Sequence, residues 1–192
     1  MTTEESKKPK IKPWHYVLSF VWETAKVVII SLAIIIPIRY FLFQPFFVRG
    51  ASMEPSFEDG EYLIIDEISY RFHEPERSDI IIFKYPKDPS QYYIKRVIGL
   101  PNEIIRIENG KITIFNSENP AGFILDEPYL SQDNKFTSGN LEINLDENDY
   151  FVLGDNRQAS SDSRRWGPVP RHYIIGRAWV RAWPFNRVGI LD

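Results

Sequence analysis

Residues 104–115 read IIRIENGKITIF and contain two short runs, Ile104–Ile107 and Lys111–Phe115, joined by Asn109-Gly110. Both runs are rich in β-branched and aromatic residues, which are common in strands. A two-residue hairpin turn needs positive φ at both central positions, and Asn followed by Gly adopts that conformation readily. The stretch therefore predicts a β-hairpin and places this part of the chain in a β-rich domain.

Comparable runs lie on both sides of this hairpin. They cover Tyr62–Ile65, Ile80–Tyr85, Tyr92–Ile98, Leu141–Leu145, Tyr150–Leu153 and Ile174–Val180. Residues 116–140 instead hold many Asn, Ser, Gly and Pro residues, a composition typical of surface loops. The pattern predicts a mainly β domain over residues 44–192, with residues 116–140 as a surface loop insert.

An apolar stretch from Val17 to Phe43 precedes this domain and reads VLSFVWETAKVVIISLAIIIPIRYFLF. A helix needs about 20 apolar residues to cross a bilayer, and this stretch is long enough although three charged residues interrupt it. We predict a transmembrane anchor over residues 16–43. A buried or amphipathic helix and a cleavable export signal are the alternatives. The export signal is disfavoured, because no small-x-small cleavage site follows Phe43.

The flanks of the apolar stretch predict its orientation. Residues 1–15 carry Lys7, Lys8, Lys10 and Lys12. Lysine-rich flanks of transmembrane helices stay in the cytoplasm. Residues 1–15 are therefore expected to be cytoplasmic, and residues 44–192 to lie on the opposite side of the membrane.

The composition of the 192-residue chain narrows the classes of function. A net charge of −3 argues against a nucleic-acid partner, because such partners require a basic surface. The absence of cysteine excludes disulfides, thiolate metal sites and cysteine nucleophiles. His15, His73 and His172 are scattered and show no metal-ligand spacing. We therefore expect a chain without metal or cofactor.

Two polar segments contain candidate catalytic groups. Ser52 lies in Ala51-Ser52-Met53-Glu54-Pro55-Ser56, shortly after the apolar stretch. Taken alone, this serine is a weak candidate, because most serines are ordinary surface hydroxyls. Residues 154–167 read GDNRQASSDSRRWG and combine two aspartates, three arginines and three serines between two glycines. Such a segment can form a hydrogen-bonded scaffold around a site, although a solvated charged turn has the same composition.

The predicted strand Tyr92–Ile98 contributes a lysine. Because side chains alternate along a strand, Lys95 shares a face with Tyr93 and Val97, while Arg96 lies on the other face. Burial among apolar neighbours lowers the pKa of a lysine, and the neutral amine is then a usable base. A lysine at an exposed strand edge is the alternative.

In combination, these segments resemble the sequence boxes of the type I signal peptidase (leader peptidase) family. The segment Ser52-Met53-Glu54-Pro55-Ser56 is similar to its SMxP(S/T) nucleophile box, and YIKRVIGLP at residues 93–101 is similar to its base box. Residues 154–167 match the box GDNRxxSxDSRxWG. Residues 60–63 fit an intervening box, with Glu61 where the family usually has Asp. The boxes occur in the family's order, and the resemblance covers residues 16–185.

The resemblance implies a serine–lysine dyad that works without a cofactor. Ser52 would be the nucleophile and Lys95 the general base, and the reaction would pass through an acyl-enzyme. The matching positions imply supporting roles for Ser160, Asp155, Asp162, Arg96 and Arg164, with Ser160 orienting the lysine ammonium. The backbone N–H of Ser52 would stabilise the oxyanion. Gly50 lacks the hydroxyl that some family members place there, so the second donor stays open.

The resemblance also implies a fold, a substrate and a location. The fold would be an antiparallel β-sheet catalytic domain behind one N-terminal transmembrane helix. The substrate would be the signal peptide of a preprotein emerging from the export translocon, bound as an extended strand and cut after a small-x-small motif. The candidate walls of its binding pocket are Phe46, Val48, Met53, Tyr93 and Ile94. The enzyme would be a monomer in the bacterial cytoplasmic membrane, crossing it once with its catalytic domain outside.

Three other interpretations compete with this one. A Ser–His–Asp hydrolase would need His73 or His172 as its base, but neither lies in a recognisable motif. Self-cleaving repressors share the serine–lysine chemistry but lack a membrane anchor and carry a DNA-binding domain. A membrane-tethered binding module without activity would have no physical need for a buried Lys95 beside Ser52.

Overall fold

The computed structural model describes residues 13–41 and 43–191. The first twelve residues of the predicted cytoplasmic segment 1–15 lie outside the described residues. The chain divides into two compact units, Met1–Tyr40 and Phe41–Asp192.

The first unit contains one long helix, α1 (Pro13–Phe41). Its apolar part, Val17–Ile36, has 20 residues, and at 1.5 Å per residue it extends about 30 Å, the thickness of the hydrocarbon core of a bilayer. Lys26 Nζ lies 2.7 Å from Glu23 Oε1, so the two charges inside this part pair with each other. The helix has the length and composition of a membrane-spanning segment.

The larger sheet of the second unit is antiparallel and has eight strands. In chain order they are β1 (Phe43–Phe47), β2 (Tyr62–Asp66), β3 (Ile80–Tyr85), β4 (Asp88–Gly99), β9 (Asp149–Leu153), β10 (Val169–Pro170), β11 (Ile174–Trp183) and β12 (Gly189–Ile190). Their order across the sheet is β1-β2-β11-β3-β4-β9-β10, and β12 also pairs with β11. Strand β4 is therefore near the middle of the sheet, and β1 lies at one edge.

The smaller sheet has four strands in the order β7-β6-β5-β8. They are β5 (Ile104–Glu108), β6 (Lys111–Phe115), β7 (Phe123–Ile124) and β8 (Leu141–Asn144). The predicted hairpin is confirmed as β5–β6, with Asn109 at φ 52° and Gly110 at φ 77° in the turn. A short helix, α2 (Ser163–Trp166), follows β9.

The predicted mainly antiparallel β fold behind one N-terminal helix is confirmed. All eight predicted strands are present within a few residues of their expected ends. The strands that the prediction missed are β1, β7, β10 and β12. Three of them have two residues each, and β1 contains Pro45, which a strand tolerates at the edge of a sheet.

Buried apolar side chains cover both faces of the larger sheet. On β3, Ile81 and Phe83 belong to one buried cluster, and Ile80 and Ile82 belong to another. A third cluster joins the smaller sheet to Ile98, Phe151 and Leu153. Because Ile80–Phe83 of β3 and Lys95–Gly99 of β4 are buried on both faces, a polar side chain in these parts must find a partner within the protein.

Residues 116–140 form more than the predicted surface loop. They contain β7 and a 3-10 turn at Gln132–Asn134, and they bury Leu130 and Thr137. We call residues 126–138 the strap. Arg157, which is fully buried, donates to Glu127 and to Thr137, and these contacts attach the strap to the rest of the fold. The prediction from composition could not include these long-range partners.

Candidate active site

Ser52 and Lys95 contact each other directly. Lys95 Nζ lies 2.7 Å from Ser52 Oγ. Lys95 comes from the central strand β4 and is 4% exposed. Ser52 lies in a turn after β1, residues 51–57, which we call the nucleophile turn. Two backbone bonds close it, from Glu54 N to Ala51 O at 3.2 Å and from Phe57 N to Met53 O at 2.9 Å.

Burial makes Lys95 a weaker base in thermodynamic terms but a more available one at neutral pH. Loss of solvation lowers the pKa of Lys95 from its ordinary 10.5 to about 8, although the carboxylates of Asp162 and Asp155 act in the opposite direction. With that pKa, about a tenth of the lysine is neutral at pH 7. The neutral amine can accept the proton of Ser52.

No hydrogen bond joins Ser160 to Lys95 in the part of the chain that the structure describes, and the orienting role of Ser160 stays a prediction. Lys95 Nζ donates to Ser52 Oγ and, at 2.7 Å, to the carbonyl oxygen of Ile94. The hydroxyl of Ser160 is buried and has no hydrogen-bond partner among the residues that the structure describes. It lies beside Gly154, where an added Cβ would come within 2.3 Å of Ser160 Oγ. The prediction had Ser160 orienting the Lys95 ammonium, whereas in the structure Lys95 Nζ donates to the Ile94 carbonyl oxygen.

The segment after β9 is attached to the backbone of the nucleophile turn. Asn156 N donates to Ser52 O at 3.1 Å, and Asn156 Nδ2 donates to Ala51 O at 3.0 Å. A Cβ on Gly154 would also lie 2.3 Å from Ser52 O, so the backbones approach too closely for any residue other than glycine. These contacts fix the orientation of the peptide groups on either side of Ser52.

Two buried ion pairs flank the site, and both join residues that the sequence singled out. Arg96 donates to both carboxylate oxygens of Asp155, at 2.9 Å and 2.7 Å. Arg164 donates to both oxygens of Asp162, at 2.8 Å each. Both carboxylates are fully buried, so each has to be paired. The supporting roles given to these four residues stay predictions.

The second donor of the oxyanion site is not the backbone of Gly50. Gly50 N donates to Asp59 Oδ1 at 2.6 Å, so this group already has a partner. The backbone N–H of Ser52 stays the predicted donor.

A cavity of about 690 Å³ opens next to Ser52 and Lys95. It contains four of the five predicted pocket walls, namely Phe46, Val48, Tyr93 and Ile94. Met53 is not part of its lining, because its side chain is fully buried and packs in the core with Phe57 and Leu63. The prediction of Met53 as a wall was therefore wrong, since the nucleophile turn directs this side chain into the core.

The sequence analysis missed several residues that line this cavity. They are Phe47, Arg49, Ala51, Leu63, Ile82, Gln91, Tyr92, Ala159 and Ser161. Phe47, Arg49 and Tyr92 each lie next to a predicted wall in the sequence, so the neighbours of those walls were a usable signal. Ala159 and Ser161 come from the segment after β9 and carried no such signal.

The structure gives no support to a histidine base. His73 is exposed and its Nδ1 lies 3.3 Å from Ser69 O. His172 is exposed, and its ring is tilted against that of Tyr173 with the centroids 4.2 Å apart. Neither residue lines the cavity. In residues 13–41 and 43–191, no group of three or more His, Asp or Glu side chains is arranged to hold a metal ion.

Sequence comparison identifies the family to which the chain belongs. A family model for signal peptidase, peptidase S26, matches residues 21–183. The chain belongs to this family. The predicted membership in the type I signal peptidase family is thereby confirmed.

Individual relatives match over nearly the whole chain. A probable signal peptidase I-2 of Synechocystis sp. is 37% identical over 98% of this chain and 83% of its own length. The signal peptidase I of Bacillus amyloliquefaciens is 36% identical over 96% of each chain. A crystal structure of a signal peptidase I from Enterococcus faecalis shares 32% identity over 55% of this chain and 97% of its own, with a TM-score of 0.46. The two sequence matches identify the chain as a signal peptidase I, which is a hydrolase.

Proposed function

We propose that this signal peptidase removes signal peptides from exported preproteins with Ser52 as nucleophile and Lys95 as general base. The observation that carries the proposal is the 2.7 Å contact between Lys95 Nζ and Ser52 Oγ. A lysine that is 4% exposed and has its pKa lowered to about 8 has the environment that a general base requires. The names of its relatives supply the class of substrate.

The reaction begins when neutral Lys95 accepts the proton of Ser52 as the serine oxygen attacks the scissile carbonyl carbon. Negative charge develops on the carbonyl oxygen, and the Ser52 N–H stabilises it. When the C–N bond breaks, the Lys95 ammonium gives its proton to the leaving amine, which becomes the new N-terminus of the mature protein. The signal peptide is left as an ester on Ser52.

The second half of the reaction uses Lys95 again. Neutral Lys95 takes a proton from a water molecule, whose oxygen attacks the ester carbonyl carbon. The tetrahedral intermediate collapses, the ester bond breaks and the proton returns to Ser52 Oγ. The signal peptide leaves with a free carboxylate. Because Ser52 and Lys95 come from one chain, the proposal needs no second copy of the protein.

The strands beside the cavity support an extended substrate. Strand β4 pairs with β9 at Arg96–Gly99, whereas Tyr92–Lys95 pair on one side with β3. Strand β1 pairs with β2 and lies at the edge of the sheet. An extended peptide can therefore hydrogen-bond to free backbone groups and direct alternate side chains into the cavity. The apolar side chains of Phe46 and Ile94 line the cavity, and we propose them as the walls against which the small residues of a small-x-small motif bind.

The proposal is tested by incubating the purified full-length chain, in detergent micelles, with a preprotein at pH 8. We expect cleavage after a small-x-small motif, measured by N-terminal sequencing of the product. Ser52→Ala should remain folded and lose the activity, because the attacking oxygen is gone. Cleavage by Ser52→Ala at a rate near that of the wild type would exclude Ser52 as the nucleophile. Cleavage after large residues would exclude the proposed motif.

We further propose that the chain crosses the membrane once, with residues 1–15 in the cytoplasm and residues 44–192 on the extracytoplasmic face. The lysine-rich N-terminal flank supports this orientation. On the catalytic unit, Tyr62 pairs across strands with both Phe47 and Trp183, and the three rings are about half exposed. Phe185, which is 78% exposed, packs edge-to-face against Trp183, with the ring centroids 4.6 Å apart. Such an aromatic row is typical of groups at a membrane surface.

The orientation is testable because the chain has no cysteine of its own. Ser6→Cys and Ser117→Cys each introduce one thiol, and Ser117 is exposed. In intact bacterial cells, a membrane-impermeant maleimide should label Ser117→Cys but not Ser6→Cys. Ser6→Cys should be labelled only after the membrane is permeabilised. Equal labelling of both variants in intact cells, or the reverse pattern, would refute the proposed orientation.

A further inference from the structure

Residue 56 is the point at which the nucleophile turn is attached to the surrounding sheet. Ser56 Oγ donates to Asp155 Oδ2 at 2.6 Å. The carbonyl oxygen of the same residue accepts from Arg181 Nη2 at 2.5 Å. Ser56 lies four residues after Ser52, at the end of the turn that carries the nucleophile. The turn is therefore held at one residue by both a side-chain bond and a backbone bond.

The side-chain bond connects the turn to the strand of the lysine. The acceptor of Ser56, Asp155, is the carboxylate that Arg96 holds with two hydrogen bonds. Arg96 is the neighbour of Lys95 on β4, so one buried carboxylate contacts both the nucleophile turn and the strand of the base. Charged hydrogen bonds of this kind are short and directional, and they resist displacement. The position of Asp155 thus affects the separation of Ser52 and Lys95.

The backbone bond connects the turn to β11. The Arg181 guanidinium is mostly buried, and its Nε forms an ion pair with Glu61 Oε2 at 2.9 Å. Its Cζ also lies over the ring of Phe57, 5.0 Å from the ring centroid. Because this arginine is itself held on two sides, it is a rigid donor to the carbonyl of Ser56. The turn consequently cannot shift along β11 without breaking a charged hydrogen bond.

We propose that Ser56 is a positioning residue for the reaction, because its hydroxyl holds the nucleophile turn at the distance where Ser52 meets Lys95. The inference rests on the proposed function of that pair. Ser56 does not line the cavity beside Ser52 and Lys95. Its loss should therefore slow the chemical step and leave substrate binding almost unchanged. A displacement of about 1 Å in such a pair is enough to lower a rate by about 10²-fold.

The test compares the kcat and KM of wild type, Ser56→Ala, Ser56→Thr and Ser56→Val on one preprotein. Ser56→Thr keeps the hydroxyl, and Ser56→Val has the same shape without it, so this pair isolates the hydrogen bond. We expect kcat to fall about tenfold to a hundredfold in the Ala and Val variants, with KM within about twofold of the wild type. Ser56→Thr should restore most of the lost kcat.

A second serine provides a matched control. Ser69 Oγ donates to Asp66 Oδ2 at 2.5 Å, and like Ser56 it is half-buried, but it lies away from the cavity. Ser69→Ala removes the same kind of bond, so it should lower thermal stability by a similar amount and leave kcat unchanged. Ser52→Ala is assayed in parallel, so that a failure of the nucleophile assignment is seen separately.

Three results would overturn the positioning role of Ser56. The first is a kcat of Ser56→Ala and Ser56→Val within about twofold of the wild type while Ser52→Ala is inactive. The second is an equal loss of kcat in the Thr and Val variants, which would assign the effect to the shape of the side chain. The third is a loss of kcat that Ser69→Ala shares, which would assign the effect to general stability.

Discussion

Lys95→Met should lower kcat/KM by about 10⁴-fold or more, because loss of the general base or the nucleophile from a catalytic unit has effects of that size. Met is close to lysine in length and lacks the amine, so the variant keeps the packing of β4 and loses the proton acceptor of Ser52. Cleavage of a preprotein, followed over several hours, is the measurement. Lys111→Met is the matched control, since Lys111 is an exposed lysine on a strand of the other sheet.

The same assignment predicts how the activity of the wild type depends on pH. The neutral form of Lys95 is the active one, and its pKa in the folded protein is about 8. kcat/KM should therefore rise with pH, by about tenfold per pH unit below pH 8, and level off above it. The rise occurs because burial disfavours the ammonium, and the carboxylates of Asp162 and Asp155 moderate that effect.

Both the activity of Lys95→Met and the pH profile of the wild type can contradict the assignment of Lys95 as the general base. If Lys95→Met retains activity within about tenfold of Lys111→Met, another group accepts the proton of Ser52. A wild-type profile with a midpoint near pH 6.5 would point to a histidine instead. His73 and His172 would then have to be replaced in turn, although both lie outside the cavity.

The parts of the fold that could be predicted from the sequence follow local rules. The β5–β6 hairpin depends on the backbone preferences of Asn109 and Gly110, which are properties of these residues themselves. The alternation of β4 placed Lys95 and Arg96 on opposite faces, and in the structure they reach Ser52 and Asp155 respectively. A strand pattern can therefore predict which side of a sheet a charged group faces.

The parts that could not be predicted depend on contacts between distant residues. Arg157 and Glu127 are separated by 30 positions, and neither residue has a sequence pattern that indicates the other. The 116–140 segment has the composition of a loop, yet its contacts with Arg157 keep it on the fold. Met53 faces the core because of the closed nucleophile turn around Ser52. No pattern in residues 51–57 indicates this direction.

The arrangement that makes Lys95 useful as a base should also make the fold less stable, so Lys95→Met should raise stability at neutral pH. The folded state lowers the pKa of this lysine from 10.5 to about 8, which means that folding disfavours its protonated form. At 1.36 kcal/mol for each tenfold change, the cost to the folded state is about 3 kcal/mol when the lysine is protonated in both states. Met is buried at the same place without that cost.

The pH dependence distinguishes this explanation from a general improvement in packing. Between pH 8 and pH 10.5 the unfolded chain binds more protons at Lys95 than the folded chain does, so the stability of the wild type rises with pH in this window. The advantage of Lys95→Met should therefore be constant below pH 8 and shrink towards zero near pH 10.5. Denaturant unfolding of both full-length chains in the same detergent measures it. An advantage that does not change with pH would show that the buried charge is not its cause, and a less stable variant would show that the bonds from Lys95 to Ser52 and Ile94 outweigh the cost of burial.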